Sequence, residues 1–241
     1  RSLRATTGTG ARAAVARRPE PAVGQGRFAD RRAAGRALGE RLSGSTSGDP
    51  VVLGLPRGGV IVAAEVAEVL GVPLDVLVVR KLGLPLQPEL AMGAIAAAGD
   101  IVETVRVESV LAAADVPPAA FEEVRRRELE ELRRREAAYR AGRPPVVLTG
   151  RSVVLVDDGL ATGATMRAAV AAVRRQVPLA VTVAVPVGSP RACDELAGDV
   201  DEVLCLLSPR WFRAVGQAYA DFAATTDEEV RSALERGHRS V

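Results

Sequence analysis

The sequence has few of the residues on which many enzymes depend. Its 241 residues include one histidine, His238, and two cysteines, Cys193 and Cys205. A single histidine near the C-terminus argues against Ser-His-Asp or Cys-His catalysis and against a histidine-rich metal site. The two cysteines form no CxxC pair and cannot build a disulfide framework, so we expect a reducing, cytoplasmic location. An enzyme of this composition would work with carboxylates, backbone amides, lysine, arginine and a hard metal ion.

The sequence also has few aromatic residues and nearly equal numbers of basic and acidic residues. Aromatic residues make up 3% of the chain, and 32 Lys and Arg against 30 Asp and Glu give a formal charge of +2. A dedicated nucleic-acid binder usually has a strong basic excess, and base stacking needs aromatic side chains. No apolar run approaches the ~20 residues that cross a bilayer. We therefore expect neither a nucleic-acid partner nor a membrane. Hydrophobic residues, at 48%, suffice for a core.

The chain divides into a tail and one domain. Residues 1–26 are rich in Arg, Ala, Gly and Thr without apolar periodicity, which predicts a disordered basic tail, with a transit peptide or a basic arm as the alternative. In residues 27–241, short apolar runs alternate with helical patterns. This alternation predicts a single α/β domain with a mostly parallel central sheet flanked by helices. The predicted buried strands are 51–55, a run near 75–80, 152–158, 181–187 and 202–207.

Three further segments depart from this alternation. Residues 82–93 contain two prolines and two glycines, which predict an irregular loop that could act as a mobile lid. Residues 117–142 begin with proline, end with glycine and contain many Glu–Arg pairs, which predicts a charged helical insertion. Its charged face is expected to be solvated, with a partner or RNA surface as the alternative. Residues 208–241 form a C-terminal segment, in which Thr226 and Glu229 predict a capped helix start.

The most informative stretch is 153–167, VVLVDDGLATGATMR. An apolar strand leads into two adjacent carboxylates, Asp157 and Asp158, at the sheet edge where parallel α/β proteins bind ligands. A Gly- and Thr-containing turn then opens into a helix, whose first amides form a phosphate site. Carboxylates for sugar hydroxyls or a metal, followed by a phosphate site, point to a sugar phosphate. The stretch is neither a Walker P-loop, since it lacks GK[ST], nor a GxGxxG dinucleotide motif.

Residues 154–165, VLVDDGLATGAT, closely resemble the phosphoribosyl-pyrophosphate (PRPP) binding motif of type I phosphoribosyltransferases. The phrases LPRGGV, VVRKLGLPLQPELAMGAI and FRAVGQAYADF resemble a bacterial subgroup of phosphoribosyltransferase-domain proteins whose acceptor is unassigned. The resemblance covers roughly Phe28 to Glu235. It implies that 27–241 is a single domain of the type I phosphoribosyltransferase fold. Some members of the subgroup are fused to a hydrolase domain, which nothing in this sequence resembles.

The resemblance implies roles for two groups of residues. Asp157 and Asp158 would hold the ribose 2′- and 3′-hydroxyls, directly or through Mg²⁺, which either carboxylate could bind through water. The turn at Pro56–Gly59 resembles the pyrophosphate loop, which often contains a cis peptide bond. Here Arg57 would supply charge, and Gly58 and Gly59 would supply backbone amides; an ordinary strand–helix turn is the alternative. The residues implied for the 5′-phosphate are Ala161, Thr162, Gly163, Ala164 and Thr165.

Two further candidates depend on where their segments lie. Arg80 and Lys81 are expected to end the second strand at the ligand edge, and Lys81 would contact the pyrophosphate, with a solvated basic pair as the alternative. Residues 82–93 correspond to the mobile catalytic loop of the family, but they are more apolar than is usual there. Trp211 is the best candidate for a hood, a cover over the acceptor; simple packing of the C-terminal segment on the sheet is the alternative.

The resemblance implies a Mg²⁺-dependent transfer of the 5-phosphoribosyl group from PRPP to a small-molecule acceptor, with release of pyrophosphate. A PRPP-sensing regulatory domain without catalysis is one alternative. A hydrolase or phosphorylase acting on a ribose phosphate or nucleotide is another, and it would use the same residues. No motif identifies the acceptor, which is a base or another small metabolite. Dimers are common in the family, so a homodimer is one expected assembly.

Overall fold

The computed structural model describes residues 14–17, 26–44, 48–99 and 101–239. The strands in these ranges are β1 (Ala14–Arg17), β2 (Pro50–Gly54), β3 (Leu74–Val76), β4 (Val79–Leu84), β5 (Gln87–Ala98), β6 (Ile101–Arg106), β7 (Ser152–Val156), β8 (Ala180–Val187) and β9 (Glu202–Leu207). The helices are α1 (Arg31–Leu42), α2 (Gly58–Leu70), α3 (Glu108–Ala113), α4 (Pro118–Arg140), α5 (Ala164–Arg174), α6 (Pro190–Leu196) and α7 (Asp227–Arg239), with a 3₁₀ turn at Val215–Ala218.

The central sheet has the strand order β1-β9-β8-β7-β2-β3 in the part of the chain that the structure describes. All of its neighbouring strands run parallel. Alternate residues of a strand pack on opposite faces: Val52 and Val154 pack with α1, α2 and α7, whereas Val51 and Val153 pack with α5 and α6. Both faces are therefore covered, which explains why these strands are continuous apolar runs. The predicted α/β fold with a parallel sheet flanked by helices is confirmed.

A second, antiparallel sheet with the order β4-β5-β6 corrects two predictions. Residues 82–93 are not an irregular loop, because β4 and β5 form a hairpin whose turn is at Pro85 and Leu86. Breaks in the β4–β5 register on either side of Gly83 accommodate this Gly- and Pro-rich sequence. Buried residues of β5, such as Met92 and Ile95, pack into the core and hold the strand in place. The strand expected near 75–80 is likewise two strands, β3 and β4, in different sheets.

The N-terminal prediction is wrong at residues 14–17. These residues form β1, which pairs in parallel with β9 at the edge of the central sheet. An edge strand leaves a row of backbone amides and carbonyls unpaired, and β1 satisfies those of β9. The rest of the predicted tail, residues 1–13 and 18–25, lies outside the described residues.

The predicted charged insertion is the helix α4. Phe121, Val124 and Leu132 are buried, and much of the charged surface is exposed. At its end, the buried Arg140 donates to Asp75 in β3, with Nε 3.2 Å from Oδ1, and so fixes the helix to the central sheet.

None of the helices within the described ranges is long and apolar enough to cross a membrane.

Candidate active site

The candidate site lies at the carboxyl ends of β2 and β7, which are neighbours in the sheet. Gly54 and Val156, the last residues of these strands, are partners in the register. The Leu55 amide continues the pairing by donating to the Val156 carbonyl over 2.9 Å. The two motifs that follow, Pro56–Gly59 and Asp157–Asp158, therefore emerge side by side. Ligands of parallel α/β sheets bind at this edge.

The glycines of the Pro56–Gly59 turn lie directly against the acidic pair. The peptide bond between Pro56 and Arg57 is cis, as the resemblance implies. A Cβ atom added at Gly58 would collide with the Asp158 carboxylate. One added at Gly59 would lie 2.8 Å from both Cα and Oδ1 of Asp157. Because no side chain fits at either position, the turn needs both glycines.

The two carboxylates are held in different ways. The Asp157 Oδ1 accepts a hydrogen bond of 2.8 Å from the backbone amide of Asp158. The Asp158 Oδ2 accepts one of 2.8 Å from Nε of Arg31, at the start of α1. Burial, and then the neighbouring charge of Asp158, raise the pKa of Asp157 well above its usual value. Burial also raises the pKa of Asp158, although Arg31 opposes the shift. Such shifts are typical of a functional site.

The C-terminal segment closes one side of the acidic pair. The hydroxyl of Tyr219 donates to the backbone carbonyl of Asp158 over 2.6 Å, and burial raises its own pKa. The guanidinium of Arg31 lies 3.9 Å from the centre of the Phe222 ring. Sequence reasoning missed Arg31 and the contact of Tyr219. Nothing in the sequence distinguishes Arg31 from Arg32 and Arg36, which pair with Glu65 instead.

The predicted 5′-phosphate residues, 161–165, span the end of the loop after Asp158 and the first two residues of α5. Gly163 has a positive φ of 77°, and α5 begins at Ala164, so the first amides of this helix lack intrahelical partners. Thr162 and Thr165 are exposed. The hydroxyl of Ser189 donates to the Ala161 carbonyl over 2.8 Å and connects the loop to the end of β8. The loop therefore has the geometry of an anion site beside the acidic pair.

The structure places Arg57 at the site and Lys81 in the hairpin. Arg57 is exposed in the turn beside the acidic pair. Arg80 and Lys81 do not end a strand of the central sheet, as was predicted, but lie within β4. Nζ of Lys81 donates to the backbone carbonyl of Glu89 over 2.9 Å, and Nε of Arg80 donates to Glu128 over 3.0 Å. Both residues are thus held within the hairpin or against α4.

The residues after β9 lie at the same edge of the sheet. The side chain of Trp211 is 87% exposed, so it covers nothing in this structure. Tyr219, by contrast, is packed against Phe28, which fits the alternative of a packed C-terminal segment. Ser208 directly follows β9, and among the described residues its hydroxyl is a buried group without a hydrogen-bond partner. The residues around Ser208 in the sequence form no motif that marks it as a site residue.

The sequence of the chain is similar to that of a known protein family. A family model described as "Phosphoribosyl transferase domain" matches residues 29–223. The chain belongs to this family. Two Mycobacterium tuberculosis proteins, from strains CDC 1551 and H37Rv and provisionally named phosphoribosyl transferases, are each 50% identical to it over 214 residues. The alignment covers 88% of this chain and 47% of each relative, so the chain spans about half the length of the curated relatives it matches.

A solved structure shares both the fold and much of the sequence of this phosphoribosyl transferase domain. The protein TT1426 from Thermus thermophilus superimposes with a TM-score of 0.74 at 47% identity. The match covers 87% of this chain and 98% of that chain. The predicted family membership is therefore confirmed.

Asp157 and Asp158 can bind a hard cation only if a phosphorylated ligand and water supply the remaining oxygen ligands. Among the described residues, no group of three or more His, Cys, Asp and Glu side chains could hold a metal ion. Mg²⁺ prefers oxygen ligands and often binds through one or two carboxylates together with substrate phosphates and water. Asp157 and Asp158 fit that arrangement, because they are two adjacent carboxylates beside a Gly-rich turn and the N-terminus of α5.

Proposed function

We propose that the protein transfers the 5-phosphoribosyl group of PRPP to a small-molecule nucleophile and releases pyrophosphate. The observation that carries this proposal is the meeting of three features at one sheet edge: the Pro56–Gly59 turn, the acidic pair and the 161–165 loop. PRPP offers a pyrophosphate, two ribose hydroxyls and a 5′-phosphate. These groups require two anion sites on either side of a pair of hydrogen-bond acceptors.

The acidic pair binds the ribose in this proposal. The 2′- and 3′-hydroxyls donate hydrogen bonds to Asp157 and Asp158. The amides and hydroxyls at residues 161–165 bind the 5′-phosphate at the N-terminus of α5. The amides of Gly58 and Gly59 and the guanidinium of Arg57 bind the pyrophosphate. Lys81 reaches the pyrophosphate only if the β4–β5 hairpin approaches the site. Its Nζ then gives up the hydrogen bond to the Glu89 carbonyl and donates to the ligand instead.

Transfer breaks the bond from C1′ to the pyrophosphate oxygen and forms a bond from C1′ to the nucleophile. The resemblance implies an oxocarbenium-like transition state, in which the ribose becomes positively charged. The fixed carboxylates of Asp157 and Asp158 favour that charge electrostatically, and Arg57 favours the departing anion. Asp157 and Asp158 would hold Mg²⁺ together with the ligand, and the ion would supply positive charge that offsets the negative charge of the pyrophosphate. None of these roles requires a histidine.

The acceptor would enter beside the residues that follow β9. The exposed ring of Trp211 offers a face on which a planar acceptor can stack. The buried hydroxyl of Ser208 offers a hydrogen bond that no described protein group uses. These features suit an acceptor with a flat apolar face and a polar edge, which includes bases and other small metabolites.

Calorimetric titration with PRPP, with and without Mg²⁺, tests the ligand. Wild-type protein is compared with the double variant Asp157→Ala/Asp158→Ala. The matched control is Glu122→Ala/Glu123→Ala, which removes two adjacent carboxylates from the exposed face of α4. We expect Mg²⁺-dependent binding by the wild type and the control and no binding by the acidic-pair variant. Absence of binding in the wild type would overturn the proposal.

Release of pyrophosphate over a panel of acceptors then tests the reaction. Release that requires a nucleophile other than water supports transfer. Release with water alone indicates a hydrolase, and product formation that requires phosphate indicates a phosphorylase. Binding of PRPP without release for any acceptor would favour a regulatory domain that senses PRPP.

A further inference from the structure

Arg31 is fixed beside the acidic pair by its place at the start of α1. The carboxylate of Asp30 accepts a hydrogen bond of 2.7 Å from the Ala33 amide and so caps the helix. This cap holds Arg31 in the first turn. Its side chain is 12% exposed and reaches Asp158, which is 18% exposed. A charged pair with so little exposure is screened only weakly by solvent.

The same guanidinium also holds the C-terminal segment. Nη1 of Arg31 donates to the Ala223 carbonyl over 2.8 Å, and the Phe222 ring covers its face. Tyr219 from this segment binds the main chain of Asp158. Arg31 is therefore a direct connection between the Asp158 carboxylate and the segment 219–223.

The two other arginines early in α1, Arg32 and Arg36, pair with a different carboxylate from Arg31. Arg32 and Arg36 both pair with Glu65, with Nη1 atoms 2.9 and 2.8 Å from its carboxylate oxygens. Arg31, in contrast, pairs with Oδ2 of Asp158, and no side chain of another described residue donates to Oδ1. One oxygen of Asp158 is thus held by a side chain while the other can accept from a ligand.

We infer that Arg31 is the positioning residue of Asp158, and that it couples the docking of segment 219–223 to the geometry of the acidic pair. The inference rests on the proposed function, since it assigns Asp158 to the ribose. By fixing Oδ2, Arg31 directs Oδ1 toward the ligand.

The test compares Arg31→Gln and Arg31→Lys with Arg36→Gln, a control on the same helix. Binding of PRPP with Mg²⁺ is measured by calorimetry at neutral pH. Loss of a charge-assisted hydrogen bond predicts that Arg31→Gln weakens binding about 10- to 100-fold at neutral pH. Arg31→Lys should restore part of the affinity but not all of it, because Lys keeps the charge and lacks the planar donor pair.

A second measurement does not depend on PRPP. Amide hydrogen exchange of the ligand-free protein is measured in the wild type, in Arg31→Gln and in Arg36→Gln. We expect faster exchange in residues 219–223 in Arg31→Gln alone, because the Ala223 carbonyl and the Phe222 ring lose their contact with the guanidinium. Unchanged exchange in these residues, or PRPP binding by Arg31→Gln as tight as in the wild type, would overturn the inference. A wild type that does not bind PRPP would overturn the proposed function, while the exchange result would still decide whether Arg31 holds the segment.

Discussion

A Cβ atom on Gly59 would lie 2.8 Å from the Cα atom of Asp157, so a backbone turn after β2 rests directly against the acidic pair after β7. The contact joins two motifs that are far apart in the chain. It also explains why the turn contains two adjacent glycines, since Gly58 is pressed against Asp158 in the same way. Any side chain here would displace the carboxylates from their places.

Substitution of Gly59 by alanine should damage both the fold and the site. The added methyl group meets backbone atoms of Asp157, which cannot rotate away, so we expect a loss of about 1–3 kcal/mol in the free energy of unfolding. Binding of PRPP should weaken because Asp157 must move. Chemical denaturation and calorimetry measure the two effects.

The control for this substitution is Gly198→Ala. The nearest atom to a Cβ there is the Glu195 carbonyl oxygen at 3.9 Å, so the methyl group has room. We expect its stability and PRPP affinity to match the wild type. If Gly59→Ala behaved like Gly198→Ala, the close approach of the turn to the acidic pair would be contradicted.

Replacing Asp157 by asparagine should stabilise the ligand-free protein at neutral pH. Burial raises the pKa of Asp157 in the folded state, so stability falls as the pH rises from the ordinary carboxyl pKa of the unfolded chain through the higher pKa of the folded protein. Asparagine resembles the protonated acid and keeps an oxygen for the Asp158 amide. We expect a gain of about 1 kcal/mol at neutral pH, the usual size for a stabilising change.

This gain should shrink as the pH falls below the pKa of Asp157 in the folded protein and disappear below the ordinary carboxyl pKa, where the side chain is neutral in both the folded and the unfolded wild type. Thermal unfolding at neutral and acid pH measures the trend. A lower melting temperature for Asp157→Asn at neutral pH would show that the carboxylate is stabilised in the folded protein, contrary to the raised pKa.

Asp158→Asn should reduce turnover strongly while the fold is retained. The substitution removes the charge that favours the developing positive ribose and weakens the ion pair with Arg31. A loss on the order of 100-fold in turnover is expected, as for the removal of one fixed electrostatic group in other active sites. Pyrophosphate release and circular dichroism measure the two properties. Unchanged turnover would remove Asp158 from the mechanism.

Ser208→Ala should leave the free energy of unfolding unchanged or raise it. The buried hydroxyl lacks a partner among the described protein groups, and an unsatisfied buried polar group costs about 1–3 kcal/mol. Alanine removes that cost and leaves a space of one oxygen atom. Thermal unfolding of the ligand-free protein is the measurement. A clear loss of stability would indicate that the hydroxyl is hydrogen-bonded in solution, for example to water.

The sequence predicted the central sheet well because its strands are buried on both faces. The runs predicted at 51–55, 152–158, 181–187 and 202–207 correspond to β2, β7, β8 and β9 within a few residues. The charged helix and the Thr226–Glu229 cap were also predicted correctly, since both depend on local spacing. The amide of Thr226 donates to Glu229 over 2.8 Å, as that spacing requires.

The β4–β5 hairpin was not predictable in the same way. Prolines and glycines between 82 and 93 indicate a loop, but packing of Met92 and Ile95 in the core outweighs this local preference. The position of Lys81 was wrong for the same reason, because it followed from a strand that the structure divides between two sheets. Long-range packing, which single-sequence patterns do not contain, decided both.

What the sequence alone determined is the chemistry of one continuous segment, in which Asp157, Asp158 and the 161–165 loop are neighbours along the chain. Only the tertiary structure brought the Pro56–Gly59 turn and Arg31 to that segment. The reason is that parallel strand order sets which loops share an edge, and this order depends on how the helices cover both faces of the sheet. Arg31 resembles its neighbours in sequence, and only its place on α1 directs it to Asp158 rather than to Glu65.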